Sequence, residues 1–182
     1  MNRFYFILLC SSTVACTKQD ELLPAHDASV PVHINEVFSA GSKKDDGGQG
    51  VGDWLELYNA GSPLELEQGA WFLTDDRSDL QKFELPAVRL AEQEHLRIWC
   101  DAAEGQGIHA PFRLSSKGEW LALVRLRAGR AAIIDSVRYA PRTRRHMSTS
   151  RYPDGAPTWV KTTVATPGSA NAGSDRMASA GE

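Results

Sequence analysis

Beyond its first sixteen residues the chain has one cysteine, Cys100; the other two, Cys10 and Cys16, lie in an apolar leader. A disulfide inside the folded body is therefore excluded, and stability has to come from burial. The body has no apolar run near the roughly 18 residues that a membrane-spanning helix requires. It has no amphipathic helix pattern of useful length. It also lacks HExxH, CxxC, a GxSxG nucleophile elbow and a glycine-rich loop ending in Lys-Ser/Thr. The histidines His26, His33, His95, His109 and His146 are not paired at metal-ligand spacing. The run Asp45-Asp46-Gly47-Gly48-Gln49-Gly50 has no helix pattern behind it to cradle a phosphate. These absences leave no motif for zinc chemistry, serine acyl transfer or P-loop phosphoryl transfer, and no cofactor or metal is expected.

What is present fits one domain with tails. The 182 residues are 42% hydrophobic and 24% charged, an ordinary globular composition. Met1-Asn2-Arg3 is a short basic start, and Phe4 to Ala15 is almost uncharged and mostly apolar, the pattern of a secretory signal. It ends Thr13-Val14-Ala15-Cys16, which resembles the bacterial lipobox. There, small residues precede a cysteine that takes lipid, palmitate included, and becomes the new N-terminus. Thr13 stands where that motif usually has Leu. Cys10 fits worse, because bulky Leu9 precedes it. In the Gram-negative sorting scheme Thr17, not Asp, after the cysteine implies the outer membrane. The expected organisation is a lipoprotein-type signal peptide over 1–15, lipid attachment at Cys16, a polar tether over 16–31, a folded domain over 32–171 and a disordered tail over 172–182.

Within 32–171, short β-branched and aromatic runs alternate with Gly/Pro turns. Strands are predicted at 32–38, 53–59, 70–74, 82–85, 95–100, 112–114, 119–124, 131–139, 149–152 and 158–160, with a hairpin across Arg127-Ala128-Gly129-Arg130. Many short strands at this spacing predict an all-β sandwich or barrel. Trp54, Trp71, Trp99, Trp120 and Trp159 are the expected core anchors. Cys100, in the run HLRIWC, reads as a small buried core residue. Strict alternation places Asp135 on one face with Ile133, Val137 and Tyr139. An aspartate among apolar neighbours needs hydrogen bonds. Backbone amides or a hydroxyl would make it structural; a second polar group nearby would make it a general acid or base.

Several segments form an ordered set: INEVF at 34–38, DWLELYNAGS at 53–62, WFLTDD at 71–76, KFELP at 82–86, LRIWCD at 96–101, FRLSSKGEWLALV at 112–124, IIDSVRYA at 133–140, RYPDG at 151–155 and TPGSAN at 166–171. Together they resemble the lamin tail domain (LTD) in its bacterial, secreted form, over nearly all of the chain beyond the leader. The nuclear lamin version shares the F-x-x-P and IW segments and lacks much of the RYPDG region. The resemblance implies an immunoglobulin-like fold, a single β-sandwich without the paired cysteines of antibody domains. It also implies a binding or scaffolding role more than a reaction.

Charge is unevenly placed. The whole chain has 20 Lys/Arg and 23 Asp/Glu, net −3. Residues 17–112 hold 7 basic and 18 acidic residues, a balance of −11, whereas 121–161 hold 9 basic residues against Asp135 and Asp154, a balance of +7. Arg138, Arg142, Arg144, Arg145 and Arg151 crowd one connection. Arginine suits bidentate binding of carboxylate or phosphate, so these five are the candidates for an anion- or partner-binding edge. Acidic and basic strands pairing across the sheets would produce the same asymmetry. Two acidic groups, Asp45/Asp46/Asp53 and Asp75/Asp76/Asp79, have oxygen ligands on turns but not the D-x-D-x-D-G spacing of a calcium loop.

The expected function is that of a noncatalytic envelope lipoprotein of the outer membrane. It would be held by its N-terminal lipid and would bind an envelope protein or an anionic lipid or glycan. Nucleic acid fits poorly: the protein is exported and acidic, and few aromatics interleave with the arginines. Two alternatives stand beside it: an envelope hydrolase using Asp135 or Asp75/Asp76, and a calcium-dependent adhesion module using Asp75, Asp76 and Asp79. No motif fixes the oligomeric state, and which strand lies outermost cannot be read.

Overall fold

The computed structural model describes residues 24, 26–39, 52–141 and 147–173. The strands follow from apolar alternation broken by turn residues. They are β1 (Val32–Phe38), β2 (Trp54–Asn59), β3 (Leu64–Leu66), β4 (Trp71–Thr74), β5 (Phe83–Glu84), β6 (Val88–Leu90), β7 (His95–Cys100), β8 (Ile108–Ala110), β9 (Trp120–Arg127), β10 (Arg130–Arg138), β11 (Ser148–Arg151) and β12 (Trp159–Thr162). They form a six-stranded sheet in the order β12-β11-β1-β2-β7-β8, a four-stranded sheet in the order β10-β9-β4-β5, and the ribbon β3-β6. Every pairing is antiparallel except β7 with β8. The fold is all-β, a single sandwich.

The two larger sheets share one apolar core. Ile34, Val37, Leu55, Leu57, Ile98 and Cys100 meet Trp71, Leu73, Leu121, Leu123 and Ile134 across it. Trp71 is fully buried there; Trp54 and Trp120 are also buried, and Trp99 and Trp159 are half-buried. A smaller cluster of Phe72, Trp120, Ala122, Val124 and Ile133 covers the outer face of the four-stranded sheet. Cys100 is wholly buried, and burial pushes its thiol well above the ordinary range, so it is inert core.

Two β-bulges decide which way key side chains face. One falls between Ile34 and Glu36, the other between Ile133 and Asp135. A bulge inserts one residue and flips the alternation beyond it. In β1, Ile34 and Val37 both point inward as a result, and Glu36 moves to the outer face beside Glu56 of β2. In β10, Ile134 joins the main core and Ile133 belongs to the outer cluster. The expectation that Ile133 shares a face with Asp135 is thus corrected; Val137 and Tyr139 belong to the main core, and Asp135 is buried.

The predicted hairpin is present, with Ala128 and Gly129 at its turn. Residues 112–114 are not a strand; only Arg113 bridges, to Asp101. Part of the stretch expected to be tether is built into the sandwich. His26 bridges Ile133 in parallel, Asp27 N–H donates to Ile133 C=O at 2.8 Å, and Ala60 N–H donates to Pro31 C=O at 2.8 Å. Cys16 lies outside the described residues.

Candidate functional site

The four segments INEVF, DWLELYNAGS, RYPDG and TPGSAN converge on the outer face of the six-stranded sheet. Thr166-Pro167-Gly168-Ser169 forms a tight turn, closed by Ser169 N–H to Thr166 C=O at 3.0 Å. Pro167 presets the first turn residue, and Gly168 takes φ 76°, a value that favours glycine. This turn lies over β1 and β2, where three carboxylates each accept one of its backbone amides or that of the residue closing the segment. Thr166 N–H donates to Glu36 Oε2 at 3.1 Å, Gly168 N–H to Glu56 Oε2, and Asn171 N–H to Asp154 Oδ1 at 3.0 Å. Asn171 also donates its side-chain amide to Asn35 C=O at 3.1 Å and Arg151 C=O at 2.9 Å. Asn35, the bulge residue, donates to Asp154 Oδ1 at 3.0 Å and accepts from Gly155 N–H at 3.0 Å. His95 Nε2 lies 3.2 Å from Asp154 Oδ2.

Glu36 and Glu56 are cross-strand partners, and both are fully buried. Like charges at opposed positions repel, and burial disfavours ionisation. Burial pushes the Glu36 carboxyl above its ordinary value. Burial likewise pushes Glu56 up to about 8; Glu36 and Asp154 add to the rise, and the Gly168 amide and Arg97 oppose it. Arg97, the β7 partner of Glu56, stacks its guanidinium 4.4 Å from the Trp99 ring. Glu56 Oε1 is buried with no hydrogen-bond partner among the described residues, which suits a neutral carboxyl at pH 7.

Asp135 is held from three sides. Its carboxylate accepts Ile34 N–H at 2.8 Å, Ser136 N–H at 2.9 Å and the Arg151 guanidinium at 2.9 and 3.0 Å. Arg151 completes its donor set with Ile34 C=O at 2.9 Å and Ala156 C=O at 2.6 Å, and it lies 4.7 Å from the Trp159 ring. Both side chains are buried. Arg151 is therefore removed from the set of anion-binding candidates, because the ion pair and carbonyls tying β10 to β1 and β11 engage its guanidinium on every side. The amides expected around Asp135 are present, and Arg151 is the partner that sequence reasoning missed.

Arg138 is exposed at the far end of β10. Arg142, Arg144 and Arg145 lie outside the described residues, as do Asp45 and Asp46. The second acidic turn is self-satisfied. Asp75 pairs with Lys82, Asp76 Oδ1 accepts Ser78 N–H at 2.9 Å, and Asp79 Oδ1 accepts Gln81 N–H at 3.2 Å. Among the described residues no three acidic, histidine or cysteine side chains are grouped to hold a metal ion.

An open depression of about 240 Å³ is lined by Trp99, Asp101, Gly105, Gln106 and His109. His109 Nδ1 is 2.9 Å from Asp101 Oδ1, and Nε2 is 3.2 Å from Gln106 C=O. Both nitrogens face acceptors, and the hydrogen bond to Asp101 raises the ring's proton affinity above its ordinary value.

Comparison with protein-family models, curated proteins and solved structures finds no match to this chain.

Proposed function

We propose that this protein is a noncatalytic, lamin-tail-type binding module with an immunoglobulin-like sandwich, anchored at the outer membrane by lipidated Cys16. It engages an anionic partner through the arginine-bearing end of β10 and the connection after it. The observation that carries this reading is the direction of the chain where it joins the fold. His26 pairs with Ile133 in parallel, so the described chain joins the edge of β10 running in the same direction as that strand, away from the β9–β10 turn. β10 then runs away from that entry for five residues, about 17 Å, to Arg138. Ten residues separate Cys16 from His26, a reach of at most about 35 Å. Of the candidate arginines, exposed Arg138 therefore lies at the end of β10 opposite the entry of the chain, on the side that a short tether favours turning away from the anchoring membrane. That favours an envelope protein or an anionic wall glycan over the lipid of the anchoring leaflet.

The hydrolase alternative gains no support from Asp135, whose carboxylate oxygens are taken up by Arg151 and two backbone amides in a structural role. The calcium-adhesion alternative gains none from Asp75, Asp76 and Asp79, which are bonded within their own turn. The test is co-sedimentation of the full chain, in mild detergent, with purified wall sacculi and with anionic phospholipid vesicles. The wild type should pellet with sacculi in a salt-sensitive way, and the combined Ser variant of Arg138, Arg142, Arg144 and Arg145 should not. Equal pelleting of both proteins, or binding to vesicles alone, would contradict the reading.

A further inference from the structure

We infer that residues 164–173 form a proton-operated clasp, closed over the outer face of β1 and β2 while the Glu36–Glu56 pair holds a proton and loosened as that proton is lost. The clasp is fixed to the sheet by carboxylates that stand on β1, on β2 and in the β11–β12 turn, each receiving a backbone amide at 166, 168 or 171. Two of those carboxylates are cross-strand partners with no water access. One negative charge on this pair is balanced by the Thr166 and Gly168 amides and by the Thr166 hydroxyl, 3.0 Å from Glu36 Oε2. A second charge has no such balance.

The other groups around the pair are Asp154 from the β11–β12 turn, whose charge opposes ionisation of both glutamates, and Arg97 of β7, which favours it weakly because its head lies over Trp99. His95 of β7 is bonded to Asp154. Ser148 and Ser150 of β11 bring no charge, although the Ser148 hydroxyl partly offsets the effect of burial on Glu36. Lifting the clasp hydrates Glu56 and lets it ionise at its ordinary value, so each proton lost favours the open form. Opening bares a row of three carboxylates, Glu36, Glu56 and Asp154, on a face that is otherwise covered. The clasp thereby makes exposure of an acidic surface depend on pH, at a site separate from the arginine end.

The experiment is amide hydrogen exchange of the full chain by NMR, with protection factors corrected for intrinsic rates. Protection at Thr166, Gly168 and Asn171 should fall roughly 50- to 100-fold from pH 5.5 to 7.5, about tenfold per unit, and level off above pH 8. The core amide of Leu123 should not change in step. In Glu56→Gln the three amides should keep their pH 5.5 protection at pH 7.5. Protection in the wild type that does not vary with pH would overturn the clasp, and so would a Gln variant with the wild-type slope. If Glu56→Gln does not fold, the ¹³C carboxyl shift of Glu56 in the wild type decides: a midpoint well above the usual carboxylate range supports the clasp, and one below 5 overturns it.

Discussion

Replacing Glu56 with glutamine should make the protein more stable at neutral pH, against the usual result of altering a fully buried polar residue. Glu56 has a raised folded value, about 8, against 4.5 when unfolded. A group raised in this way contributes stability that is complete below 4.5 and is lost as pH rises toward 8, because the unfolded chain releases the proton first. Each unit of difference is about 1.4 kcal/mol, so the wild type should lose about 3 to 4 kcal/mol from this group between pH 4.5 and 7.5. Glutamine mimics the protonated acid and still accepts the Gly168 amide. Its new N–H₂ group, if left without an acceptor, costs about 1–3 kcal/mol at every pH. The decisive quantity is therefore the change in the stability difference between the two proteins with pH. Glu36, His33 and His109 titrate in both proteins and largely cancel. Urea unfolding followed by tryptophan fluorescence at pH 4.5, 6.0 and 7.5 measures it, and the variant should gain about 3 to 4 kcal/mol on the wild type across that range. Parallel stability curves, within 1 kcal/mol at all three pH values, would refute the argument that Glu56 is folded in its neutral form.

Other substitutions test other parts of the account. Asp135→Ala leaves the Arg151 guanidinium buried and unpaired and should cost about 3–5 kcal/mol in thermal or urea unfolding, with Asp135→Ala/Arg151→Met costing less than the sum of its single changes. Leu123→Ala opens a cavity in the shared core and should cost about 2.7–5 kcal/mol by the same measurement. At Gly118, where φ is 78°, a Cβ would stand 2.4 Å from the Tyr139 carbonyl oxygen, so Gly118→Ala should lower the melting temperature sharply, whereas at Gly129, where φ is 73° and the space is open, the same change should cost only the backbone strain, about 1–2 kcal/mol. The His109 ring proton should titrate above 6.5 by NMR, and Asp101→Asn should bring it back; stability from this contact is present below 6.5 and lost as pH rises through the folded value.

The sandwich was legible because its long strands carry their own signal. Residues 32–38 and 95–100 are strands with the predicted bounds, and the β9–β10 hairpin turns where Ala128-Gly129 indicated. β3, β6 and β8 were not legible: each has three residues, too few for a period-two pattern to stand out, and β8 depends on a parallel partner for its definition. The bulges were not legible either. A single extra residue at Asn35 moves Glu36 from the expected core face to the outer face, and no local composition announces it. The carboxylate cluster was hidden for the same reason and one more. Glu36 and Thr166 are 130 residues apart, so their contact exists only once β11 and β12 are added beside β1. Its signal was present in INEVF, DWLELYNAGS, RYPDG and TPGSAN, as pieces of one pattern with no reason to meet. The arginines show the limit most clearly. Arg138 and Arg151 look alike in sequence, yet Arg138 ends an edge strand in solvent, whereas Arg151 sits between β12 and β1 above a buried aspartate.

The central claim, an anchored module that binds through its distal arginine end, is tested most directly by site-specific photo-crosslinking in cells. A photoreactive residue placed at Thr143 is compared with one at Gly129, each with and without Cys16→Ala, and the envelope fraction is analysed by mass spectrometry. The account predicts a discrete adduct at 143 that is absent at 129 and is lost both with Cys16→Ala and with Arg144→Ser/Arg145→Ser. The same adducts at both positions, or an adduct at 143 indifferent to the anchor and the arginines, would contradict it.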